Sequence, residues 1–462
     1  MEAPNPSLHI AMFFWFAMGH YIPSLILSNK LAKQGHRVSF IIPTKTQQKL
    51  QHLNLHPDLI TFIPIVLPHV QGLPPGSETT NDVPFELGTL LATAMDETKD
   101  QVEALLRDLK VDVVFFDFAH WIPSLARQLG IKSFNYCAAT PAAIGFNLSR
   151  ERHRSGSNVS EAELKQPPAS YPASNVTLRA YEARNISARR EMKYGSNILF
   201  FDRLFIGVSQ CDALGFRACR EIDGPYCNYL ENQTKKPVFL AGPLIPEPSM
   251  SPNLEEKWEK WLGKFDSGSV IYCAFGSECI MKKDEFQELV NGLVLTGMPF
   301  LAALKPPIGV DSIEEALPDK FEESVQGRGV VHGGWIQQQL ILKHPSIGCF
   351  ITHCGTSSLV EALLNKCQLV LLPNVYGDQI INARIFSRNL KVGVEVEKDE
   401  EDGALTRENV YKAVAAVMEE NSDVAKQVRN NHAKLRNLLL DKDLDSFYIH
   451  NFINKLQELV KG

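Results

Sequence analysis

One feature limits the folds open to this chain more than any other. Short apolar runs alternate with stretches of helical periodicity, and the alternation occurs in two long series. Leu8–Phe16 and Arg37–Ile42 read as buried strands. Between them Ile22, Leu25, Ile26 and Leu31 recur near helical spacing, and Gly35 supplies a stop. Val111–Phe116 and Ile131–Cys137 continue the pattern around the helix-like Trp121–Leu129. Strand, helix, strand in this order implies parallel pairing, and strands this apolar are expected to be covered on both faces.

The rhythm breaks between residues 150 and 190, a Ser-, Asn- and Pro-rich stretch read as an irregular insertion. A second break, Pro237–Asn253, carries Pro237, Pro243, Pro246, Pro248 and Pro252, a density that suits an extended connector. Beyond it come strands at Val270–Phe275, Phe300–Leu304, Gly329–His332, Ile347–Thr352, Gln368–Leu372 and Lys391–Val396. Three helical stretches, Thr406–Met418, Ser422–Leu440 and Ser446–Val460, close the chain. The expected organisation is an α/β domain over 1–236, a connector over 237–253, a second α/β domain over 254–443 and a terminal helix over 444–462. Two such sheets should enclose a cleft at the carboxyl ends of their strands.

Composition removes whole classes of function. The 462 residues hold 47 Lys plus Arg against 53 Asp plus Glu, a net charge of −6, which argues against nucleic-acid binding. Nine scattered cysteines form no CxxC pair, so neither a disulfide framework nor a zinc cluster is expected. The first residues resemble no signal peptide, and no apolar run is long enough to span a membrane. A cytoplasmic location and a monomer are the expectations. GxGxxG, GxxxxGK[ST] and GxSxG are all missing, which weakens dinucleotide-dependent, P-loop and α/β-hydrolase readings.

Two constellations carry chemistry. The first strand ends in Ala17-Met18-Gly19-His20, with a helix beginning at once. Gly19 allows a tight turn, and His20 stands at the carboxyl edge. A helix N-terminus disfavours imidazolium, so a neutral, proton-accepting ring is expected. Asp117 ends a strand on the same edge and could orient that ring. The local pattern leaves two readings open: a catalytic pair, or a structural histidine beside a capping aspartate. His120 is a rival base.

The second constellation is WIQQQLILKHPSIGCFITHCGTSSLVEALLNKCQLVLLPNVYGDQ, residues 335–379. Strand Ile347–Thr352 runs through His353-Cys354-Gly355-Thr356-Ser357-Ser358 into a helix over Leu359–Leu364. Free backbone N–H groups and hydroxyls at a helix N-terminus attract phosphate, although a hydroxyl-rich cap does so too without a ligand. Glu361, one turn on, could accept ribose hydroxyls. Trp335 could stack on a flat base, Asp378 and Gln379 suit sugar hydroxyls, and Ser277 after Gly276 adds a phosphate donor.

In order and spacing, W-x-x-Q, H-P-x-x-G-C-F, H-C-G-x-x-S-x-x-E and D-Q resemble the signature box of plant UDP-sugar-dependent glycosyltransferases of secondary metabolism. The stretches MFFWFAMGHYIPSLILSNKLAKQGHRVSFIIP and VDVVFFDFAHWIPSLA resemble the branch that extends the sugar of flavonoid and anthocyanin glycosides. The resemblance implies a GT-B fold of two Rossmann-like domains, inversion at the anomeric carbon, and no metal or cofactor beyond the UDP-sugar, which is a substrate. It implies Trp335 stacking on uracil with Gln338 beside it, and Glu361 on the ribose. His353, Gly355, Ser357, Ser358 and Ser277 would contact the diphosphate, and Asp378 and Gln379 the sugar. Thr140 and Gly19 are further donor-side candidates, with His20 as base and Asp117 as its partner. The implied partners are a UDP-sugar and a small glycoside acceptor, with a terpenoid glycoside or a bare aglycone as alternatives and a non-catalytic UDP-sugar binder as a distant one.

Three positions depart from the common family pattern. Thr356-Ser357 stands where Trp-Asn is usual, Lys366-Cys367-Gln368 replaces Gly-Val-Pro, and one extra residue lies between Pro373 and Asp378. Two of these fall near the donor sugar, so its identity stays open.

Overall fold

The computed structural model describes residues 7–153, 159–244, 253–276, 278–374, 377–419 and 422–462. Seven parallel strands build the first sheet: β1 His9–Phe13, β2 Arg37–Pro43, β3 Ile60–Ile65, β4 Val113–Phe116, β5 Lys132–Cys137, β6 Ala213–Phe216 and β7 Val238–Leu240. Six parallel strands build the second: β8 Val270–Ala274, β9 Phe300–Ala303, β10 Gly329–His332, β11 Ile347–Thr352, β12 Gln368–Leu371 and β13 Gly393–Glu395. The orders are β3-β2-β1-β4-β5-β6-β7 and β10-β9-β8-β11-β12-β13. Both sheets reverse their winding once, between β1 and β4 and between β8 and β11. Such reversals open a crevice at the carboxyl edge, where doubly wound sheets take their ligands. The two α/β domains thus each offer one crevice.

Central strands are apolar throughout because helices cover both faces. β4 and β8 are fully buried along their length. Several expected boundaries shift. β1 ends at Phe13, because Phe14–Ala17 leaves the ladder and folds on itself, with Ala17 N–H donating to Trp15 O at 2.7 Å. β3 carries Pro64 at the sheet edge, where a missing donor is tolerated.

The connector expected from Pro237 begins later. Val238–Leu240 is buried and pairs with β6 as the last strand of the first sheet. Residues 245–252 lie outside the described residues. The 150–190 stretch is less irregular than expected, since Ala180–Arg190 is an α-helix. The terminal helix Lys442–Lys461 packs on the first sheet. Its Phe452 meets the rings of Phe115, Phe134 and Phe239 at 6.2, 5.5 and 6.1 Å. Lys30 pairs with Asp445 at 2.6 Å, and Tyr448 accepts from Arg220 N–H and donates to Glu221, both at 2.7 Å.

Candidate active site

Phe116 pairs in register with Phe13, so Asp117, one residue on, emerges beside the chain leaving β1. Its Oδ1 accepts from the N–H groups of Trp15 at 2.8 Å and Phe118 at 2.6 Å. Its Oδ2 lies 2.5 Å from His20 Nδ1. A carboxylate held at both oxygens fixes the ring. Because it only accepts, Nδ1 carries the proton and Nε2 keeps its lone pair. His20 is the third residue of helix Met18–Lys33 and remains partly exposed.

Helix position is expected to favour a neutral ring, and the carboxylates around it pull the other way. Burial lowers the His20 pKa, but Asp117, with Glu278 and Asp378 behind it, outweighs burial and raises it above 6.5. Gly19 also differs from expectation. Its backbone is not left-handed, and a Cβ there would meet nothing within 4 Å, so it borders open space rather than enabling a turn. His120 lacks an orienting partner. Asp96 is committed to Arg203, at 2.9 and 2.5 Å, and lies 3.8 Å from His120 Nδ1. Burial and the Arg203 charge lower the His120 pKa.

Across the cleft, β11 passes into helix Thr356–Leu363 through a left-handed Cys354, φ 68°. That conformation is costly for a side-chain-bearing residue, and Asn382 Nδ2 secures it by donating to Cys354 O at 3.0 Å. The His353 ring packs between two glycines. A Cβ on Gly355 would stand 2.6 Å from His353 Nε2, and one on Gly276 would stand 3.2 Å away. Burial pushes the His353 pKa down to about 4, so the ring is neutral.

Gln338 Nε2 donates to Glu361 Oε2 at 2.8 Å and to Ser358 Oγ at 3.3 Å, and Gln339 donates to Glu361 Oε1 at 3.2 Å. Trp335, 80% exposed, leaves its ring open for stacking. Asp378 and Gln379 open helix Gly377–Arg384, and Gln379 Oε1 accepts from Asn374 N–H at 3.3 Å. Burial raises the Asp378 pKa, while backbone N–H groups, His20 and Arg189 oppose it. Ser277 lies outside the described residues. Thr140 Oγ1 caps its own helix by accepting from Ala143 N–H at 3.2 Å and donates to Asn382 Oδ1 at 2.8 Å. Its proton is therefore spent on holding the helix that carries Asp378.

Sequence reasoning missed the contacts that fasten the halves together. A pocket beside His20 is lined by Asp117, Tyr136 and Arg217 from one half and Thr356 and Ser357 from the other. Thr80 Oγ1 donates to Glu278 Oε1 at 2.5 Å across the cleft. Farther out, Arg384 and Glu182 are fully buried. Arg384 Nη2 donates to both Glu182 oxygens, at 2.8 and 2.6 Å, and Nη1 to Glu395. Arg179 Nη1 completes the cluster, at 2.9 Å from Glu395 and 3.1 Å from Glu182. Among the described residues no group of three or more His, Cys, Asp or Glu could hold a metal, and no helix is long and apolar enough to cross a membrane.

The profile of the family described as "UDP-glucoronosyl and UDP-glucosyl transferase" matches residues 268–446. A cyanidin 3-O-galactoside 2''-O-xylosyltransferase from Actinidia chinensis var. chinensis is 66% identical over 98% of this chain and 99% of its own. An anthocyanidin 3-O-glucoside 2''-O-glucosyltransferase from Ipomoea nil is 58% identical over 100% of both chains. Among solved structures, a UDP-glucose: anthocyanidin 3-O-glucosyltransferase in complex with UDP is 23% identical, covers 99% of both chains and superposes with a TM-score of 0.78. A UDP-glucosyltransferase from Polygonum tinctorium gives 0.79 at 22% identity over 100% of both chains. The two structures bear on the fold alone, the GT-B arrangement, while the two sequence relatives carry the assignment: this chain belongs to the UDP-glycosyltransferase family.

Proposed function

We propose that the protein is an inverting, metal-independent transferase that moves a sugar from UDP to a hydroxyl on the sugar of a flavonoid or anthocyanin glycoside. The observation that carries the reading is the His20–Asp117 pair facing the Thr356–Leu363 helix N-terminus across one pocket. His20 Nε2 takes the proton of the acceptor hydroxyl. The freed oxygen attacks C1 of the sugar from the face opposite UDP. The bond from C1 to the phosphate oxygen breaks, and its electron pair leaves with UDP. Asp117 stabilises the imidazolium that forms. Charge growing on the diphosphate meets N–H groups and hydroxyls already in place, so little reorganisation is needed.

Trp335 stacks on uracil, Gln338 lies beside it, and Glu361 takes the ribose hydroxyls. His353, Gly355, Ser357 and Ser358 face the diphosphate, and Asp378 and Gln379 face the sugar. The acceptor class is supported by the two sequence relatives from Actinidia chinensis var. chinensis and Ipomoea nil, both of which by their names extend an anthocyanin glycoside. Their donors differ between xylose and glucose, so the sugar is to be measured. Nine buried, unpaired cysteines fit a reducing, cytoplasmic setting.

The test is a panel of UDP-sugars against anthocyanidins and their 3-O-glycosides, with product mass and linkage determined. Transfer to the glycoside's sugar supports the reading, and transfer only to the aglycone overturns the acceptor assignment. His20→Ala should abolish transfer while UDP still binds, and retained turnover would move the base elsewhere.

A further inference from the structure

We propose that Arg217 is the fixed counter-charge of the donor diphosphate, delivered to the back half's cradle from the front half. The proposal rests on the UDP-sugar reading above and adds a residue that the sequence motifs do not contain.

Arg217 follows β6 and so emerges on the same sheet edge as His20 and Asp117. It is 9% exposed. Its guanidinium donates Nε to Pro243 O at 2.8 Å, Nη2 to Leu244 O at 2.9 Å and Nη1 to Ser357 Oγ at 3.3 Å. All three acceptors are neutral, and no carboxylate among the described residues pairs with it. A cation sunk this deep without a counter-ion is expensive to hold. Burial pushes its pKa down, and Tyr136, Glu361 and Asp445 act only in the opposing direction behind it. Five N–H groups serve three acceptors, which leaves two to offer.

The surroundings share this surplus of donors. Tyr136, 3% exposed, and Thr356 line the same pocket, and their hydroxyls are buried without a hydrogen-bond partner. Ser357 lies in the first turn of helix Thr356–Leu363, whose N-terminal N–H groups are unpaired within the helix. A cation, two idle hydroxyls and a helix N-terminus beside the catalytic base define a site for an acceptor-rich anion. A diphosphate supplies both the negative charge and the oxygens.

The Thr356-Ser357 departure falls into place on this account. A short serine lets the guanidinium approach the helix end, and a full positive charge takes over where the common pattern has an asparagine amide. Arg217 also grips the carbonyls of Pro243 and Leu244, where the chain leaves the first half. Donor binding is thereby coupled to the seating of the two halves.

Calorimetry on the full chain with UDP and with uridine, each against the unaltered protein, Arg217→Met and Arg217→Lys, tests this. Arg217→Met should weaken UDP about 10- to 100-fold, the scale of a charge-assisted hydrogen bond, and leave uridine within about two-fold. Its UDP affinity should also depend less steeply on salt, and Arg217→Lys should recover part of the loss. Equal weakening of UDP and uridine would make the residue merely structural, and unchanged UDP affinity would remove it from the site; either overturns the proposal. If Arg217→Met fails to fold, the UDP-to-uridine ratio in Arg217→Lys and Arg217→Gln decides by the same criteria. Absence of UDP binding to the unaltered protein would instead overturn the donor reading on which this one rests.

Discussion

Replacing Glu182 by glutamine should be among the most damaging single changes outside the catalytic pair. Glu182 and Arg384 are both fully buried, and Glu182 takes both bonds from Arg384 Nη2. The cluster of Arg179, Arg384, Glu182 and Glu395 is charge-balanced. The amide leaves one positive charge in excess, and breaking a buried pair in this way costs about 3–5 kcal/mol. Unfolding entropy of about 2 cal/mol/K per residue gives about 1 kcal/mol/K for a chain this long. The midpoint should therefore fall by roughly 3–5 °C if the molecule unfolds as one unit, and by more if the halves separate.

Differential scanning calorimetry reads this directly. The same cluster holds the end of helix Gly377–Arg384, whose first turn carries Asp378, so the KM for the UDP-sugar should rise as well. Pairing Glu182→Gln with Arg384→Met should restore part of the stability, because Arg179 and Glu395 then balance alone. A midpoint within about 1 °C of the unaltered protein, or a double variant as unstable as the two losses added, would refute the reasoning.

Two further outcomes follow from the site. The base form of His20 is the deprotonated one and its pKa is raised, so kcat/KM should fall as pH drops through a value above 6.5. Asp117→Asn removes the main raising charge, so that acid limb should move to lower pH while the plateau drops about 10²- to 10⁴-fold; a limb that stays put would deny the pairing. Glu361→Ala should raise the KM for the UDP-sugar about tenfold or more, with the acceptor KM unchanged. Steady-state kinetics with each substrate varied would expose the opposite pattern.

The architecture was legible because its strands are buried on both faces and its helices are amphipathic. The strands that escaped notice, Ile60–Ile65, Ala213–Phe216 and Val238–Leu240, carry a proline or a glycine or sit among prolines. Missing β6 had a price at the site. With no strand assigned there, nothing marked Arg217 as standing on the same edge as His20. Those two residues are far apart in sequence and meet only through sheet order. The donor box was readable because its residues are contiguous. The ion cluster was not, since Glu182 and Arg384 lie 202 residues apart on separate helices and no local pattern links them. Thr140 shows a different limit: it is a candidate donor-side hydroxyl by resemblance, but the fold occupies that hydroxyl with Ala143 and Asn382.

The placement of the last helix bears on how the molecule is made. Phe115, Phe134 and Phe239 are synthesised early, yet the ring that meets all three, Phe452, lies more than 200 residues beyond the last of them. The opening half therefore waits, with an apolar face uncovered, until the whole of the second sheet has been synthesised. A nascent polypeptide stalled before that helix would be sticky, and the emergence of Phe452 is the moment at which the first half can close.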